Sequence, residues 1–136
     1  MLLQEIFIII GAILSFLFFL FHVKLYTLCQ WEKEFEKISV VNQKIFYTIN
    51  VATTLFILLF SILSIIYVKE LAECTGLAFG VCLSYSLFWL WRFIWQISYF
   101  PIPKKNTGNQ LNYILRISFA FTFIAYFIPI IMKFFT

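Results

Sequence analysis

Charge is what this chain has least of. Only 12% of its 136 residues are charged, about half the share in a soluble globular domain. Hydrophobic residues reach 63%, aromatics 22% with 19 Phe, and mean hydropathy is +0.98. That leaves too little polar surface to keep the chain in water. The composition excludes a soluble enzyme, a nucleic-acid binder and a disordered tail. The formal charge of +4 therefore points to anionic lipid rather than nucleic acid. Histidine is scarcer still. His22 is the only one, so a bis-His haem has too few ligands, and no zinc-ligand spacing is present. The three cysteines, Cys29, Cys74 and Cys82, form no C-x-x-C pair, which argues against a quinone-linked thiol oxidoreductase. All six acidic residues lie outside the apolar runs, so none is placed as a base or nucleophile inside them. No metal and no cofactor is expected.

What is present is organised by the gaps between charges. Uncharged runs cover Ile6–Val23, Ile45–Val68, Cys74–Trp91 and Ile117–Met132. Runs of about 18–24 residues cross a hydrocarbon core of roughly 30 Å as helices. Barrel strands would be shorter and alternate in polarity. The fold class expected is all-α: an integral membrane four-helix bundle, one domain over 1–136, with spans at about 2–26, 42–67, 76–98 and 112–134. The first run has no basic leader, carries Glu5 and shows no small-x-small site, so it is expected to remain as a span. Between spans 1 and 2, Leu28, Trp31, Phe35 and Ile38 recur at helical spacing among charged residues. They predict a short amphipathic helix in the membrane interface. Ser39 is placed to cap the second span. Val68–Thr75 reads as a tight acidic turn, and 101–108 as a Pro-then-Gly linker.

Lys24, Lys33, Lys37, Lys44, Arg92, Lys104, Lys105 and Arg116 fall on one side of these spans; Lys69 and Lys133 fall on the other. The bias predicts cytoplasmic loops at 27–41 and 99–111, with both termini outside. Trp31, Trp91 and Trp95 cluster near the cytoplasmic boundary as interface anchors. Cys74 is then expected to meet an impermeant thiol reagent from outside, and Cys29 not to.

Helical phase groups the polar residues. Gln4, Gly11, Ser15 and His22 share a stripe on span 1. Tyr47, Asn50, Thr54, Ser61 and Ser64 share one on span 2. Tyr85, Trp89, Arg92 and Gln96 share one on span 3. His22, Asn50, Arg92 and Gln96 are expected to form a polar cluster near the cytoplasmic boundary, joined by Trp31 and Asn42. A substrate reading gives Arg92 a bidentate anion and His22 a proton to exchange. A structural reading lets Arg92 snorkel to helix-end carbonyls while His22 packs. Gly76 and Gly80 form a G-x-x-x-G step, extended by Ser84, that lets membrane helices approach closely, within the bundle or between copies.

At His22, Trp31, Asn42, Asn50 and the Phe88-Trp89-Leu90-Trp91-Arg92…Gln96 run, the chain resembles uncharacterised families of small four-span bacterial inner-membrane proteins. The resemblance implies a bacterial inner-membrane location and no particular activity. The function expected is non-enzymatic: an accessory or structural subunit of a membrane complex or a homo-oligomer, in contact with lipid and other subunits or itself. The alternatives are a small transporter or channel for an anion or proton through the polar cluster, and a lipid-modifying enzyme using the His22–Arg92 region.

Overall fold

The structure, a computed structural model, describes residues 3–99 and 108–135. The charge-free runs form four long helices: α1 (Leu3–Leu28), α3 (Val40–Ile66), α5 (Gly76–Ser98) and α6 (Gly108–Phe135). Two short ones, α2 (Trp31–Phe35) and α4 (Val68–Glu73), lie between them. No strand occurs among the described residues. All four long helices are long and apolar enough to cross a membrane, by length and composition. α5 has the expected limits, while α1 at its C-terminal end, α3 at its N-terminal end and α6 at both ends run past theirs, most of all α6, which begins at Gly108 rather than near 112. Counting charges locates the apolar interior, but backbone hydrogen bonding carries the helix on through polar interfacial turns. The linker expected at 101–108 lies outside the described residues up to Gly108.

The interfacial helix exists but is shorter than its apolar periodicity suggests. After α1 the chain turns at Gln30, which takes a left-handed conformation with φ 50. Leu28 is left on the α1 side of the turn, 63% exposed. Trp31, Phe35 and Ile38 are half-buried beneath exposed Glu32, Lys33, Glu34, Glu36 and Lys37. Gln43 then fastens the segment to α3, its Nε2 donating to the carbonyls of Phe35 (2.8 Å) and Ile38 (3.2 Å). Ser39 caps α3, its Oγ accepting from the Asn42 N–H at 3.3 Å.

The acidic turn after α3 is corrected to a helix. Leu71 and Ala72 are buried, with Val68 half-buried, while Lys69, Glu70 and Glu73 stay outside. That i, i+3, i+4 pattern is amphipathic and was masked by the charges. α4 tucks its apolar face against α1 and α5 and ends at Cys74, a left-handed cap with φ 52.

α1 is the centre of the bundle, packing on α3, α6 and α4; α5 packs chiefly on α6. α3 meets α5 through rings. Phe60 stacks on Tyr85 at 3.7 Å and meets Phe88 edge-on at 5.3 Å. Below them Phe18, Trp89 and Phe119 pack together, with Phe18–Phe119 at 4.7 Å and Phe18–Trp89 at 4.9 Å. A close approach occurs at Gly11, where an added Cβ would lie 2.9 Å from the Tyr126 ring. Tyr126 is fully buried. Its hydroxyl is 2.8 Å from Ser64 Oγ and 3.4 Å from Ser15 Oγ. Ser64 gives its own proton to the Phe60 carbonyl (2.6 Å), so Tyr126 donates to Ser64 and accepts from Ser15. One phenol ties α1, α3 and α6.

The packing role expected of Gly76 and Gly80 within the bundle is corrected. A Cβ at either meets nothing within 4 Å, and Gly76 has φ +51. Gly80 and Ser84 are exposed, and Ser84 Oγ turns back onto the Gly80 carbonyl at 2.8 Å. The small-residue face of α5 points outward. The accessibility expected of Cys74 is corrected too. Cys74 and Cys82 are free but fully buried; Cys29 is the exposed thiol. Burial pushes the thiols of both Cys29 and Cys74 up from their ordinary value.

Two measurements follow from this packing. Gly11→Val drives a branched side chain into a ring held by two hydroxyls, and overpacking of this kind costs about 1–3 kcal/mol. Gly80→Ala adds a methyl to open space and is neutral or stabilising by up to about 1 kcal/mol. Unfolding in mixed detergent should separate the two variants; equal loss from both would refute the close approach at Gly11. For the thiols, native maleimide labelling should add one adduct quickly, at Cys29, and three after denaturation in SDS. Because the Cys29 thiol titrates above its usual value, its labelling rate should keep climbing beyond pH 9. Fast native labelling at two sites would contradict the burial of Cys74 and Cys82.

Candidate functional site

The expected cluster of four separates into two junctions and an arginine between them, all toward the end of the bundle that carries α2. The first junction joins α1 to α3. His22 Nδ1 lies 3.5 Å from Asn50 Oδ1; with that carbonyl as acceptor, Nδ1 carries the proton. Asn50 is held from below, where Thr54 Oγ1 donates to its backbone carbonyl at 2.6 Å. Beside this pair a lateral groove of about 880 Å³ opens between α1 and α3, bordered by Tyr26, Phe35, Lys44, Tyr47, Asn50 and Thr54. Its lining mixes polar side chains with the apolar Val51 and Leu55.

The second junction joins α5 to α6. Gln96, expected beside His22, turns to α6 instead. It is 1% exposed, and its Nε2 donates to Asn112 Oδ1 at 3.0 Å. Asn42, also expected in the cluster, is exposed and serves only through its backbone N–H at the α3 cap.

Arg92 sits between the junctions, half-buried. Its guanidinium lies 5.0 Å from the Phe119 ring and 5.7 Å from Trp91. Among the described residues no carboxylate pairs with it. Of the expected anchors, Trp31 is half-buried, edge-on to Tyr26 at 6.1 Å. Trp91 and Trp95 are exposed and continue to Tyr99 as an outward ladder with ring spacings of 5.6 and 4.6 Å.

Three participants escaped the sequence reading: Asn112, Arg116 and Tyr126. With Phe119 and Thr122 they recur at three- and four-residue steps along α6, the same phase signal that marks the stripes on the other three spans. Arg116 Nε is buried without a hydrogen-bond partner among the described residues, as is Trp89 Nε1. Between the helices at this end, the charged side chains are the cations Arg92 and Arg116, while the carboxylates of Glu32, Glu34 and Glu36 stay exposed in and beside α2. No group of three or more metal-ligating side chains is assembled among the described residues.

The Gln96–Asn112 bond sets the register of α5 on α6 and should be measurable by a double-mutant cycle with Gln96→Leu and Asn112→Leu. Interhelical polar contacts of this kind give coupling of about 0.6–1.7 kcal/mol; strictly additive losses would show that the pair does not hold the helices. No protein-family model, curated protein or solved structure matches the chain.

Proposed function

We propose that the protein is an integral membrane four-helix bundle that acts by association, as a non-enzymatic subunit of a membrane complex or homo-oligomer. The observation that carries this reading is the division of labour on its helices. The interior polar side chains bind helix to helix, as in Ser15–Tyr126–Ser64, His22–Asn50 and Gln96–Asn112. The small-residue face of α5 is left outward, with Gly80 at backbone level and Leu77 and Leu87 exposed beside it. In lipid, burying Leu against Leu gains little, so helices associate where small residues let backbones meet. Gly80 and Ser84 offer such a strip to a partner helix.

The excess of Lys and Arg at the α2 end supports an orientation with that end in the cytoplasm and both termini outside. The resemblance carried by His22, Trp31, Asn50 and Arg92 supports a bacterial inner membrane.

Gly80→Leu with Ser84→Leu is the test, because Gly76 has positive φ and any side chain there strains the backbone. Light scattering in mild detergent should show the wild-type assembly and a double variant reduced to the single chain, its unfolding midpoint unchanged. His22→Ala should leave the assembly intact. An unchanged mass in the double variant would refute the surface. Loss of a turnover or ion flux in the His22 variant, with assembly preserved, would replace association by a site reading.

A further inference from the structure

Among the described residues, two arginines are paired with no carboxylate. From Cys74 to Thr136 the sequence contains no Asp or Glu at all, yet Arg92 and Arg116 lie well inside α5 and α6. The acidic residues at the same end of the bundle, Glu32, Glu34 and Glu36, are exposed in and beside α2, and Glu34 is engaged by Lys37 at 3.0 Å. α2 packs chiefly on α1.

The antiparallel register brings the two arginines to one level. Gln96 bonds Asn112 across the α5–α6 seam, and two turns deeper Trp89 faces Phe119 with ring centres 5.9 Å apart. Arg92 is four residues from Gln96, and Arg116 is four residues from Asn112. They therefore occupy facing positions between those two contacts. Arg92 leans on Phe119, which lies one turn from Arg116 along α6. Both are half-buried, and the buried Nε of Arg116 has no acceptor among the described residues.

A guanidinium in a span is retained when it is paired or has a ligand, and two like charges facing each other repel until an anion lies between them. The anion with the matching geometry is one whose oxygens accept bidentate N–H pairs from two forks, as a phosphate does. Depth selects its source. Trp95 and Tyr99 on α5 and Tyr113 on α6 are exposed about one to two turns closer to the helix ends than the arginines. Exposed Trp and Tyr rings sit at headgroup level. Just inside them lies the depth that lipid phosphates reach beside snorkelling cations.

We propose that Arg92 and Arg116 form a binding site for the phosphate of an anionic phospholipid, seated at the α5–α6 seam between the Gln96–Asn112 bond and the Trp89–Phe119 pair. The proposal rests on the membrane reading of the chain but not on its association surface. Phe119 and Trp91 lie beside the Arg92 guanidinium and offer it no oxygen acceptor. Gln96 and Asn112, bonded to each other, close the seam on the side of the helix ends. A zwitterionic lipid brings its own ammonium toward the arginines and is disfavoured.

The test is native mass spectrometry of the purified, delipidated chain in mild detergent, titrated with phosphatidylglycerol, phosphatidylcholine or soluble glycerol phosphate. Phosphatidylglycerol should bind one to one and at least about tenfold more tightly than phosphatidylcholine, with glycerol phosphate weaker than either. Arg92→Gln and Arg116→Gln should each weaken phosphatidylglycerol by about tenfold, the worth of one charge-assisted contact. Arg92→Lys and Arg116→Lys keep the charge, guard against a folding defect and should recover only part of the affinity. Lys24→Gln, on the exposed side of α1, should change nothing, as should Gly80→Leu. Equal binding of the two lipids, or arginine-to-glutamine variants that bind like the wild type, would overturn the site. Glycerol phosphate binding as tightly as the lipid would overturn the lipid assignment.

Discussion

The hydroxyl of Tyr126 is the contact around which the remaining packing is arranged, because it satisfies three helices with a single group. Four apolar helices in a bilayer gain little by touching one another through Leu and Phe, since lipid offers the same surface. What brings them together must be close fit and polar contact. Tyr126 supplies both. Its oxygen lies between Ser15 and Ser64, and its ring fills the space left by the missing side chain of Gly11. Tyr85 meets that ring edge-on at 5.2 Å, so the fourth long helix joins through the same residue. A phenol buried without these partners would cost about 1–3 kcal/mol. With them, the proton chain from Ser15 through Tyr126 and Ser64 ends on the Phe60 carbonyl and leaves no hydroxyl in it without an acceptor.

That tight centre makes the bundle unequal along its length. At the level of Gly11, Ser15, Ser64 and Ala125, small residues let α1 settle against α3 and α6. Toward the α2 end the side chains between helices are large. Phe18, Trp89 and Phe119 stack there, and α1 and α3 part to leave the groove beside Asn50. The looser end is also the one with most of the cations. A bundle clamped at one end can present charged side chains at the other without relying on them for its fold.

The helices were legible because a gap between charges is a property of one segment. So was the Ser39 cap, a local hydrogen bond three residues long. The phase of Ser15, His22, Asn50 and Ser64 was legible as well, and each does face a neighbouring helix. What the periodicity could not say is which neighbour. Gln96 shares a stripe with Arg92 and lies at the depth of His22, yet bonds Asn112, because the α5–α6 register depends on packing contributed by both helices. Gly76 and Gly80 show the same limit from the other side: G-x-x-x-G reads identically whether it faces the bundle or the outside, and only the placement of Cys82, Tyr85 and Trp89 inward turns it out. α4 was hidden for a different reason. Three charges in six residues outweighed Leu71 and Ala72 in composition, although two small buried side chains were enough to seat one helical turn.

Arg92 illustrates how these scales meet. Its place on the inward stripe of α5 was readable, and the sequence offered it polar neighbours, an anion or the interface rather than a carboxylate. The structure supplies two aromatic faces instead, and contacts of that kind are worth about 0.5–2 kcal/mol. That is less than the several kcal/mol of desolvation that a buried cation incurs. Aromatic contact therefore orients the guanidinium without neutralising it. Arg116, facing it in register, adds a second charge of the same sign. The fold bears this imbalance because Tyr126 and its serines hold the helices from the opposite half. Its sign is uniform through α5 and α6, where no carboxylate exists to cancel it, and that is the imbalance an anionic headgroup would relieve.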